Sequence, residues 1–220
     1  MLPLFPLGTV LFPGLVLPLH VFEERYRQLV RDLLALPQPS QRFGVVCIRE
    51  GREVGTDGVR ALYDVGCVAQ LSQVEAHEDG RYDLVTVGTE LFRLDELAFD
   101  RPYLTGQVTF LPNEPGDAAE ARLLDPLVRA AFGEYVDQLG VASGSPIEQP
   151  DLPDDPQVLG HLVGATMALD LADRQDLLEQ PDGVARLRRG LSLLRRESGV
   201  LQALRAVPAP ELARAHALPN

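Results

Sequence analysis

Lysine is missing from this chain: all twenty basic residues among its 220 are arginine. A phosphate-binding P-loop needs its lysine, and so does a Ser–Lys peptidase dyad, so these residues can carry neither chemistry. Tryptophan is absent as well, and there are two cysteines, Cys47 and Cys67. Two thiols cannot supply the disulfide framework of a small secreted domain. Each lies in an apolar run and reads as a core thiol. The four histidines, His20, His77, His161 and His216, form no His-x-x-x-His pair, and no Cys-x-x-Cys occurs. Neither a metal nor another cofactor is therefore expected. Ser143-Gly144-Ser145, Thr86 and Thr89 lack the context of a nucleophile elbow. No basic residue precedes Arg25, so the charged start of a secretory signal is missing. No later window is long and apolar enough for a bilayer span. The expectation is a cytoplasmic chain with no membrane partner.

The net charge of −12 is unevenly spread. It is −5 over residues 1–112, −12 over 113–182 and +5 over 183–220. Nucleic-acid binding rests on neutralising phosphates, so this balance speaks against DNA or RNA as partners. The acidic block reads as a solvated face. Arg186, Arg188, Arg189, Arg195 and Arg196 alternate with apolar positions near the end and read as another, close to an acidic neighbour.

What is present begins with thirty apolar residues that cannot be a single helix. Pro3, Pro6, Pro13 and Pro18 interrupt them, and an interior proline costs a helix roughly 3 kcal/mol. The run reads instead as two buried strands, Leu2–Phe5 and Leu15–Leu19, joined by a corner at Gly8 and Pro13-Gly14. Phe22, Tyr26, Leu29, Val30, Leu33 and Leu34 then fall on one helical face, predicted to pack on the strands. Glu23 and Arg25 at its start suit a structural ion pair or cap.

Further strands are predicted at Phe43–Ile48, Leu62–Val74, Asp83–Leu97 and Tyr103–Leu111, with Asp79-Gly80 as a hairpin turn and Phe92 buried. Gly51, Gly55 and Gly58 form a flexible connection rather than a phosphate loop, since no lysine follows. Six strands and one early helix suggest a small closed or pseudo-closed barrel. From Ala118 the apolar period changes from 2 to 3.6. Leu123, Leu124, Leu127, Val128, Ala131, Phe132, Tyr135, Val136 and Leu139 form a stripe, with Pro126 placed to kink or restart the helix. Asp155-Pro156 starts another helix, with Val158, Leu159, Leu162, Val163, Thr166 and Met167 facing inward. A short helix capped by Asp173 and a long one capped by Asp182 complete the chain to about Ala206. The last has Val184, Leu187, Leu191, Leu194, Leu201 and Leu204 on its buried face. The fold class is thus α+β: a barrel over 1–112, a helical bundle over 118–206, and a mobile tail at 207–220.

The run Pro3-Leu4-Phe5-Pro6-Leu7…Leu11-Phe12-Pro13-Gly14…Leu17-Pro18-Leu19-His20-Val21-Phe22-Glu23…Arg25-Tyr26 closely resembles the start of the LON substrate-binding domain, the amino-terminal module of Lon proteases. Later stretches, among them Val87-Gly88…Phe92-Arg93 and Leu171–Arg196, are similar to that family too. The resemblance implies a PUA-like barrel or pseudo-barrel followed by an α-helical bundle, acting as a non-enzymatic module without ATPase or protease domains. It also implies recognition of unfolded or degron-bearing polypeptide, with a protease or chaperone as a further partner. Phe12, His20, Glu24, Arg25 and Arg93, in or beside the matching runs, are the candidate peptide contacts. Phe12 has a second possible role, as a core anchor closing the barrel end. Two alternatives stand beside this reading: a small-molecule binder or small enzyme using the barrel–helix cleft, and an RNA-binding PUA-like module.

Overall fold

The change of apolar period at Ala118 separates six strands and one helix from four further helices in the computed structural model, which describes residues 1–51 and 59–206. Gly55, Gly58, the buried-face side chain expected at Leu204 and the 207–220 tail lie outside the described residues. The strands are β1 (Leu2–Leu7), β2 (Val16–Val21), β3 (Arg42–Gly51), β4 (Val59–Ala76), β5 (Tyr82–Ala98) and β6 (Thr105–Phe110). Helix α1 (Glu24–Leu34) lies between β2 and β3, and α2 (Ala118–Ser143), α3 (Pro156–Thr166), α4 (Leu171–Leu178) and α5 (Gly183–Ala206) follow the sheet. The strand order is β2-β5-β4-β3-β1-β6, and β6 pairs again with β5 to close a barrel. Most neighbours are antiparallel; β1 runs parallel to β3.

Long β5 makes the closure possible. Its first half, Tyr82–Val87, pairs with β2, and its second, from Phe92 to Ala98, pairs with β6. Between the pairs Cys67↔Leu91 and Ala69↔Gly88, β5 carries one residue more than β4. Such a bulge bends the strand and shifts the alternation by one. Leu84, Thr86 and Gly88 are buried before it, Leu91 and Phe92 after it. Phe92 is therefore turned into the barrel, fully buried with Leu2, Leu4 and Val68. Gly66 makes room for that ring: a Cβ there would stand 2.5 Å from both Phe92 Cζ and the Val45 carbonyl oxygen.

The other side of the sheet carries the larger core. Phe5, Phe43, Cys47, Cys67 and Ala69 join Tyr26, Leu29, Val30 and Leu33 of α1 there, and the same cluster continues into Phe132, Leu159, Leu177 and Leu187 of the later helices. Burial pushes the Cys67 thiol up to about 12, so it packs as an inert apolar group.

Several faces are turned from their expected setting. Phe22 is 49% exposed, because α1 starts two residues beyond it and Phe22 never joins the helical face. Leu34, in the last turn, is exposed as well. Helix α2 runs unbroken through Pro126 and buries Val128, Phe132, Tyr135 and Val136, leaving Leu123 and Leu127 outside. Those two are four residues apart, and the stretch holds more apolar side chains than one face can bury. In α3 the buried side is Leu159, Gly160, His161, Val163 and Gly164, while Val158 and Thr166 are exposed.

The α4 cap is Asp170, whose carboxylate accepts from the Asp173 N–H, so Asp173 lies inside the first turn. There it accepts from Arg189 at 2.9 Å and Arg196 at 2.6 Å, tying α5 to α4. Arg188 of α5 reaches Glu120 of α2. The arginines of α5 thus act largely as cross-links between helices, and Arg186 departs furthest from a solvated face. It is 2% exposed, donating to the carbonyls of Leu177 and Gln180.

Candidate functional site

The pairing scheme leaves a gap in the barrel wall. Strand β6 pairs with β1 only at Leu2 and Pro3, and the Leu4 N–H still reaches the Leu104 carbonyl. Beyond that point the same side of β1 faces β2 across a groove of about 230 Å³. Phe5, Pro6 and Leu7 line one bank; Pro18, Leu19, His20 and Val21 line the other; Phe22, Glu23 and Tyr26 close one end. The floor is rigid. Phe5 stacks on Tyr26 with ring centroids 4.0 Å apart, and Phe43 packs beside them.

At the rim, β2–β5 pairing sets His20 opposite Asp83. His20 Nδ1 lies 2.6 Å from Asp83 Oδ1, and His77 Nε2 lies 2.6 Å from Asp83 Oδ2. An ionised carboxylate only accepts, so each imidazole carries a proton on the nitrogen that faces it. Hydrogen bonds from His20 and then His77 hold the Asp83 carboxyl below its ordinary range. The cluster fastens the end of β2 to the β4–β5 turn and sets the His20 ring beside Phe22, 6.2 Å between centroids. Among the described residues, no group of three His, Cys, Asp or Glu side chains is disposed to hold a metal ion.

The five candidate contacts do not gather at one place. His20 lines the groove, and Arg25 sits just outside it, paired to Glu23 at 3.0 Å and lying over the Tyr26 ring at 4.5 Å. Glu24 points to solvent and pairs with Arg27 and Arg31, whose hydrogen bond holds its carboxyl down. Arg93 is on β5 beyond the bulge, bound to Asp95 at 3.0 Å, and is not among the groove residues. Phe12 is corrected from a surface contact to a buried one: its exposure is 0%, and its ring packs against Gly164 and His161 of α3. The proline corner folds Phe12 inward because α3 presents a glycine there; a Cβ on Gly164 would stand 3.0 Å from Phe12 Cζ.

Sequence reasoning missed Phe5, Pro6, Leu19 and Phe22 as lining residues, and Asp83 and His77 as the clamp on His20. The spacing within β2 and β5 held the signal for the clamp, once their register is known.

A strand-and-helix barrel with an apolar groove at its proline-rich opening is the arrangement of a binding module. Residues 1–196 match the ATP-dependent protease La (LON) substrate-binding domain, and the chain belongs to that family. Lon protease 2 of Myxococcus xanthus is 29% identical over 203 residues, covering 91% of this chain and 24% of that protein. Lon protease of Escherichia coli K12 is 28% identical over 207 residues, covering 91% and 25%. The chain therefore spans about a quarter of the length of these curated relatives. Among solved structures, a Lon N-terminal domain protein from Xanthomonas campestris aligns with a TM-score of 0.60 at 25% identity, covering 87% of this chain and 96% of that one. The N-terminal domain of Mycobacterium avium complex Lon protease aligns with a TM-score of 0.63 at 18% identity, covering 90% and 97%, which supports the fold. No helix among the described residues is long and apolar enough to cross a membrane.

Proposed function

We propose that this chain is a non-enzymatic, cytoplasmic module that captures unfolded or degron-bearing polypeptide in the groove between β1 and β2 and delivers it to a protease or chaperone. The observation that carries the reading is the groove itself: apolar banks with the half-exposed Phe22 ring at one end. Such a surface gains by covering side chains that a folded client keeps inside. The family supports it, since the matched region is the substrate-binding domain. In this account residues 1–112 form the subdomain that carries the site, and 118–206 a helical subdomain that braces it from the opposite side of the sheet.

Phe22→Ala separates binding from folding. Because Phe22 is half exposed and precedes α1, its removal is expected to change stability by no more than about 0.5 kcal/mol. Retention of a chemically unfolded client on immobilised protein should fall several-fold. Parent-level retention by the variant would take the ring out of the site.

A further inference from the structure

The groove is flanked by two strand edges, and each carries a proline where its backbone turns toward the gap. On β1 the Leu4 N–H reaches the Leu104 carbonyl, away from β3. With the period of 2 in a regular strand, Pro6 presents its backbone to that same side, where β6 has ended. On β2, Leu15 accepts from the Gly88 N–H and Leu17 from the Thr86 hydroxyl, so these residues face β5. Pro18 lies between Leu17 and Leu19 in an unbroken register, and its backbone faces away from β5. Proline has no N–H. At both places the backbone offers the groove a carbonyl oxygen and no donor, and the Glu23 carboxylate at the closed end is a third acceptor.

A groove built in this way is poorly suited to pairing with an added β-strand, which needs donors as well as acceptors along the edge. It suits a side chain with an apolar stem and several donors at its tip. We infer that the groove prefers polypeptide segments presenting an arginine or lysine among apolar residues, its stem along Leu7 and Leu19 and its charged head at the carbonyls of Pro6 and Pro18 and the Glu23 carboxylate. Charge-assisted donation to such oxygens is stronger than neutral pairing. The −5 net charge of residues 1–112 favours the approach of a cationic segment. Aromatic faces at the same end, Tyr26 and Phe22, complete an environment that accepts a cation. Arg25, already over the Tyr26 ring and paired with Glu23, shows that these groups hold a guanidinium.

This inference rests on the polypeptide-binding reading, and one experiment separates the two. Three fluorescein-labelled peptides of about ten residues, alike except for a central arginine, leucine or glutamate in an apolar stretch, are titrated with the full chain at about 150 mM salt, where surface charges are largely screened. The arginine peptide is expected to bind about fivefold tighter than the leucine peptide, with the glutamate peptide weakest. Glu23→Gln should narrow the arginine preference, and Leu19→Arg, which supplies the groove with a guanidinium of its own, should abolish it. Equal affinities for arginine and leucine, or tighter binding of glutamate, would overturn the preference while leaving polypeptide capture standing. A preference unaltered in both variants would place it outside the groove and overturn it too. Absence of binding by all three peptides would overturn the polypeptide reading and this inference with it.

Discussion

Replacing Phe12 by alanine is expected to cost about 3–5 kcal/mol of stability. The ring has no exposed surface and fills the space between the proline corner and α3. Its neighbours there are Gly164, whose missing side chain admits the ring, and His161, 6.1 Å away between centroids. Alanine would leave a cavity where the barrel meets the helical part, lined by backbone that cannot easily collapse. Thermal and denaturant midpoints measure the loss. A variant as stable as the parent would show that the corner does not anchor α3. Phe12 and Phe22 are thus expected to behave oppositely: one holds the fold together, while the other contributes to capture and is nearly silent in stability.

The second large effect is a loss of stability in acid, traced to His161. This side chain is 3% exposed, and neither ring nitrogen has a protein partner. Burial, and then the nearby Arg186 guanidinium, push its pKa down to about 3. The unfolded chain takes up a proton near the ordinary value of about 6.5, whereas the folded chain resists it. Between those values the unfolded state binds more protons, so stability must fall as pH drops from about 6.5 toward 3. At the acid end the loss from this one group reaches about 5 kcal/mol, at 1.36 kcal/mol per pH unit. Above pH 7 the group is neutral in both states and contributes no slope. His161→Leu removes the buried titration and the two unpartnered nitrogens together. Its stability relative to the parent should therefore rise as pH falls from 7 to 4. A difference that stays constant over that range would show that His161 does not govern the acid limb.

Much of the architecture was legible in the residues, for identifiable reasons. The change of period at Ala118, the Asp155-Pro156 helix start and the Asp182 cap are local signals, and each appears where its chemistry puts it. Glu23 and Arg25 form the expected ion pair at the helix entry. The errors arise where tertiary structure chooses among equivalent local options. Phe22 continues the 3.6-residue spacing of α1 backwards, but the helix begins only at Glu24. Leu123 and Leu127 are as apolar as Val128; only the position of α5 decides which face of α2 is covered. Asp170 and Asp173 are both good caps, and the turn geometry takes the first. The groove was the least legible feature. It depends on β2 pairing with a strand more than sixty residues away and on β6 ending opposite Pro3, neither of which is written in the pattern of any one strand.

The central claim is that the β1–β2 groove takes polypeptide, and amide chemical-shift mapping tests it most directly. A ¹⁵N-labelled chain titrated with a soluble, permanently unfolded client should show its largest changes at Leu7, Leu19, His20, Val21, Phe22 and Tyr26, which line the groove. Changes centred instead on Val141 and Ile147, beside the cavity of about 540 Å³ after α2, or no saturable changes at all, would contradict it.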